Sequence, residues 1–88
     1  MRATYRWSIF VDSKDRSFID EVLNNYFDYE WNLLDIGVIY VSGRKGYIIY
    51  DTVARPKSTD SKPWWISRLA SEFRSHKVKI IVRKLAFL

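Results

Sequence analysis

The chain has 88 residues, 48% of them hydrophobic and 17% aromatic, with a formal net charge of +5. That length is one domain, read as residues 1–88, and the apolar content excludes a disordered chain. With no cysteine and one histidine, a disulfide scaffold, a cysteine-based zinc site and a cysteine nucleophile are excluded.

The charge is split along the chain. Residues 1–43 carry four Lys/Arg and seven Asp/Glu, whereas residues 44–88 carry eleven Lys/Arg and three Asp/Glu. A basic C-terminal half favours a polyanionic partner. No uninterrupted apolar run of about 18 residues exists, so no membrane span is expected. Met1–Phe10 has no apolar core of a signal peptide. Absence of cysteine suits a reducing compartment, and the expected location is intracellular, in the cytoplasm.

Thr4–Val11 alternates Tyr5, Trp7, Ile9 and Val11 against Thr4, Arg6, Ser8 and Phe10, the period of a strand. Asp12-Ser13 offers a turn and a helix cap, with Ser17 as a second cap candidate. Phe18, Val22, Tyr26 and Ile19, Leu23, Phe27 form two adjacent i, i+4 rows, hence an amphipathic helix. Ile36–Val41 is rich in β-branched residues and reads as a second strand. Ser42–Gly46 is a glycine-bearing connection to a third strand over Tyr47–Val53, which together predict a hairpin with Arg44 and Lys45 at its tip.

Ala54–Lys62 reads as a loop. Asp60 or Ser61 then caps a second helix, with Pro63 in its first turn. Ile66, Leu69, Ala70 and Phe73 recur at helical spacing, and Ser75-His76-Lys77 ends that helix. Lys79–Leu85 is the last strand. No internal repeat or low-complexity tract is present. The order βαββαβ predicts an α+β, ferredoxin-like fold: a four-stranded antiparallel sheet with both helices on one face.

The helices are expected to cover Tyr5, Trp7, Ile9 and Val11. That leaves Arg6 and Phe10 on the open face. On the third strand both parities are partly apolar. The preferred one exposes Lys45, Tyr47, Ile49 and Asp51, and buries Ile48 and Tyr50. On the last strand Lys79, Ile81 and Arg83 face outward. Aromatic rings interleaved with cations suit single strands, because bases stack on rings and phosphates meet Lys and Arg.

Ile9-Phe10-Val11 on the first strand and Lys45-Gly46-Tyr47 on the third resemble the two strand motifs of the RNA-recognition-motif family, and the element order matches over nearly the whole chain. The resemblance implies Phe10 and Tyr47 as base-stacking residues and Lys45 as a phosphate contact. Ile48, Ile49 and Asp12-Ser13 depart from the family pattern, so what is implied is a common architecture and surface. The alternative for Phe10 and Tyr47 is packing against a second copy, or beneath an apolar tail formed by residues 85–88.

In Lys62-Pro63-Trp64-Trp65, two adjacent Trp cannot both face the core at about 100° per residue. Trp65 fits the Ile66/Leu69/Phe73 side, which leaves Trp64 half exposed beside Lys57 and Lys62, either as a candidate stacking residue for nucleic acid or as a staple of the preceding loop to the helix. Arg55, Lys57 and Lys62 precede this helix start and form a second candidate phosphate site. Catalysis is not expected. His76 has no second histidine or Ser/Asp pattern, and Asp28, Glu30 and Asp35 read as solvated carboxylates. Gly43-x-x-Gly46 reads as a turn. Gly37-Val38-Ile39-Tyr40 and Tyr47-Ile48-Ile49 echo the halves of a nuclease signature, but its third glycine and its following helix are missing. No cofactor or metal is expected. The expected function is non-enzymatic binding of single-stranded RNA or DNA rather than duplex. The alternative is a protein-interaction module, a small regulator or inhibitor docking on a larger protein or forming a homodimer.

Overall fold

The computed structural model describes residues 4–27, 36–52, 55–56 and 64–87. In chain order the elements are β1 (Thr4–Val11), α1 (Arg16–Phe27), β2 (Ile36–Val41), β3 (Gly46–Asp51), β4 (Arg55–Pro56), α2 (Trp64–Ser75) and β5 (Ile80–Phe87). Four long strands make an antiparallel sheet, and with the two helices the fold is α+β. None of the described helices is long and apolar enough to cross a membrane.

β1 is central. Its residues Thr4 to Val11 pair with Phe87 to Ile80 of β5 along one edge. Along the other, Ser8–Val11 pair with Tyr50–Tyr47 of β3, and Thr4 and Tyr5 pair with the two-residue β4. β4 falls in a segment whose Pro and polar residues suggest only a loop. The apolar tail, one alternative cover for Phe10 and Tyr47, instead extends β5 as far as Phe87, where pairing with β1 engages alternate backbone groups.

Directly paired residues of an antiparallel ladder share a face. Trp7, Ile9 and Val11 therefore share a face with Tyr47 and Ile49 of β3, and with Ile36 of β2. These six form one hydrophobic cluster with Ile19, Val22, Leu23, Trp65, Ile66, Leu69, Ala70 and Phe73 of the helices. This is the inner face. Several members, among them Ile9, Ile49, Ile66 and Phe73, are wholly inaccessible. Burying each such side chain stabilises the fold by about 1.5–3 kcal/mol.

Both helices end where their backbone groups find partners. The α1 cap is Asp15, not Ser13 or Ser17. Its Oδ1 accepts the Phe18 N–H at 3.2 Å, and Ser13 Oγ accepts the Asp15 N–H at 3.2 Å. The helix cannot begin earlier, because the Asp12 N–H donates to the Lys79 carbonyl at 2.9 Å and extends the β1–β5 ladder. At the end of α2, Lys77 adopts φ 61°. The Lys77 N–H reaches the Arg74 carbonyl and the Val78 N–H reaches the Phe73 carbonyl, the Schellman pattern with Lys where glycine is favoured. Val78 packs against the core cluster that contains Phe73.

The parity of β3 is the reverse of the expected one. Gly46, Tyr47, Ile49 and Asp51 are buried, while Ile48 and Tyr50 are half-buried. The reason lies in the glycines. A Cβ at Gly46 would come within 2.6 Å of the Phe10 ring, and a Cβ at Gly37 would strike the Tyr50 ring. Those rings occupy the space over the two glycines on the outer face, so the bulky Tyr47 and Ile49 point inward.

Candidate nucleic-acid interface

The outer face carries a row across all four long strands: Ile39, Ile48, Phe10 and Ile81. Its next row is Gly37, Tyr50, Ser8 and Arg83. Arg6 lies two residues before Ser8 on the same face and is half-buried. Arg83 is exposed.

Phe10 is on this face, as expected, but it is not a free ring. Only 7% of it is accessible. The ring lies over Gly46, and the Arg44 guanidinium carbon sits 3.8 Å from its centroid. The hairpin tip folds back to close the ring. That contact is a cation–π pair, worth about 0.5–1 kcal/mol at an exposed site and more when desolvated.

Tyr47 is not on the open face at all. It is 8% accessible and belongs to the core cluster. The Tyr40 ring lies 5.0 Å from its ring, and the Arg16 guanidinium carbon lies 5.6 Å from its centroid. Neither ring of the expected stacking pair is therefore available to a base. Asp51, expected on the exposed side, is only 1% accessible.

Lys45 is exposed with φ 54°, in the left-handed region, and its N–H donates to the Ser42 carbonyl at 3.3 Å. This conformation closes the one-turn 3-10 segment Ser42–Arg44 that joins β2 to β3. Trp64 opens α2 at 61% exposure, while Trp65 is buried at 5%. That division follows from the helical spacing. Lys57 and Lys62 lie outside the described residues, as does the side chain of Arg55. So do Asp28, Glu30 and Asp35.

Three cations from separate parts of the chain do converge. Arg44 of the hairpin, Arg74 from the last turn of α2, and Lys79 just before β5 line one cleft of about 630 Å³. Its apolar wall is Phe10, Val78, Ile80 and Ile81, and its remaining lining residue is Asp12. Among the described residues Asp12, Arg74 and Lys79 make no side-chain hydrogen bond or ion pair. The Arg16–Asp20 ion pair at 2.8 Å and the His76 Nε2–Glu72 Oε1 contact at 3.7 Å lie elsewhere.

Arg74 and Asp12 are the residues that sequence reasoning missed. Arg74 had a legible signal, since a cation in the last turn of a helix meets the negative end of the dipole. What the sequence does not display is that β1–β5 pairing brings this helix end beside the hairpin tip. His76 lies with its ring 5.4 Å from that of Phe18, edge to face, in a shallower neighbouring cleft. Among the described residues, no group of three His, Cys, Asp or Glu side chains gathers as a metal site. No known protein family, curated protein or solved structure matches the chain.

Proposed function

We propose that the chain is a small non-enzymatic protein that binds single-stranded nucleic acid in the cleft between the hairpin tip and the end of α2. The observation that carries this reading is the convergence of Arg44, Arg74 and Lys79 around an apolar wall. Arg74 and Lys79, which make no side-chain hydrogen bond or ion pair among the described residues, suit phosphates. Arg44 supplies the stacking surface in place of the Phe10 ring it covers. Its guanidinium already lies on Phe10, and bases stack on guanidinium planes as they do on aromatic side chains. Only an unpaired base can stack in this way, which favours single strands over duplex.

The fold behind this reading is ferredoxin-like. The strand neighbours β5, β1, β3 and β2 support it. So does the single cluster that joins both helices to the inner face. With both helices there, the outer face is open. A cysteine-free chain goes with an intracellular location.

Fluorescence anisotropy with labelled single and double strands at two salt concentrations tests the proposal. Binding should weaken with salt by a slope near 0.7 per contacted phosphate. Arg74→Ala and Lys79→Ala should each lower that slope by about one phosphate's share. No binding below about 100 µM at low salt overturns the reading.

One observation favours a second reading. Ile39 and Ile81 are 52% and 40% exposed, and they share a row with Ile48 and Phe10. Aliphatic side chains do not stack bases, and an aligned apolar row suits a protein surface. A homodimer through this face would appear in light scattering as a concentration-dependent doubling of mass that Ile39→Glu abolishes.

A further inference from the structure

Asp12, the one carboxylate among the described residues that line the cleft, is out of place in a simple phosphate-binding surface. A carboxylate among cations repels a polyanion unless it receives hydrogen bonds from the ligand. We propose that Asp12 reads the base, selecting guanine by accepting hydrogen bonds from its Watson–Crick edge. The inference rests on the nucleic-acid reading and deepens it.

Three observations carry it. Asp12 lines the same cleft as Arg44, Arg74 and Lys79. Its side chain is exposed and forms no hydrogen bond or ion pair among the described residues, despite these neighbours. Its backbone is fixed from both sides: the Asp12 N–H donates to the Lys79 carbonyl, and the next amide, that of Ser13, donates to the Val11 carbonyl, each at 2.9 Å. The acceptor is thus held at the end of the central strand, with its valences open.

The chemistry of the acceptor chooses the base. An ionised carboxylate only accepts, through two parallel oxygens. Guanine alone presents two adjacent donors, N1–H and the N2 amino group, which match those oxygens. Adenine and cytosine each offer one amino donor beside a ring nitrogen acceptor, which the carboxylate repels. Uracil offers one N–H between two carbonyls. A purine on Arg44 also has the larger stacking surface, and a cleft of about 630 Å³ falls within the usual range for a small ligand.

The test uses uridine octamers carrying one central guanine, adenine, cytosine or inosine, a design that avoids guanine quadruplexes. Anisotropy is read for the wild-type chain and for Asp12→Asn and Asp12→Ala. The guanine octamer should bind at least about tenfold more tightly than the adenine octamer, the scale of one bidentate base contact. Inosine, which lacks the N2 amino group, should fall between them. Both variants should lose the preference, binding the guanine octamer no more tightly than the adenine octamer. Octamers that bind alike in the wild type overturn the guanine assignment and leave the nucleic-acid reading standing. So does a preference that survives Asp12→Asn. Failure of every octamer to bind overturns both.

Discussion

The three glycines differ in what surrounds them, and alanine substitutions should separate them. At Gly46 an added Cβ would lie 2.5 Å from the Val11 carbonyl oxygen and 2.6 Å from Phe10 Cζ. The Val11 oxygen is backbone of the central strand, and it also accepts the Ser13 N–H. It cannot withdraw without disturbing the turn into α1. At Gly37 the obstacle is the far end of the half-buried Tyr50 ring, which can swing aside. At Gly43 nothing lies within 4 Å, and its φ is not positive. Replacing a glycine by alanine at a compatible site stabilises by about 0.4–1 kcal/mol through the unfolded chain. Overpacking costs about 1–3 kcal/mol. Gly43→Ala should therefore gain a few tenths to 1 kcal/mol. Gly37→Ala should lose less than about 1 kcal/mol, and Gly46→Ala should lose about 1–2 kcal/mol. For a domain of this size 1 kcal/mol moves Tm by about 4–8 °C. Thermal and urea unfolding of the three variants gives the ranking. A Gly46→Ala variant as stable as Gly43→Ala would refute the placement of the Phe10 ring over β3.

Tyr47→Ala should behave as a core truncation and lose about 3–5 kcal/mol. In urea unfolding, a loss below 1 kcal/mol would contradict its burial. Phe10→Leu and Arg44→Ala should each destabilise, and the double variant should fall short of their sum by about 0.5–1 kcal/mol, the coupling of the cation–π contact. Strict additivity in that cycle would remove Arg44 from the ring. Asp15→Ala should cost about 1 kcal/mol through the lost cap of α1, whereas Ser17→Ala should cost less. Lys77→Gly should raise stability by up to about 1 kcal/mol, because glycine adopts φ 61° without the steric cost borne by Lys. A fall in Tm for Lys77→Gly would contradict the left-handed turn after α2.

Much of this architecture is local and was legible along the chain. β1 alternates cleanly, so its inner residues Trp7, Ile9 and Val11 could be assigned from period two. The helices show one apolar stripe each, and the adjacent Trp64 and Trp65 had to divide between solvent and core. β3 was different. Tyr47, Ile48, Ile49 and Tyr50 are apolar on both sides, so their period carries no sign. Only the pairing with β2 and β1, and the two rings lying on Gly37 and Gly46, decides which side faces inward. The same holds for the charge. The order of residues alone places most of the basic side chains in positions 44–88. Tertiary structure alone decided that Arg44, Arg74 and Lys79 share a cleft with Asp12, because strand pairing between distant segments, rather than proximity along the chain, brings them together. It also decided that Phe10 is closed, since a cation from the hairpin tip packs on a ring that the sequence shows only as an aromatic on a strand.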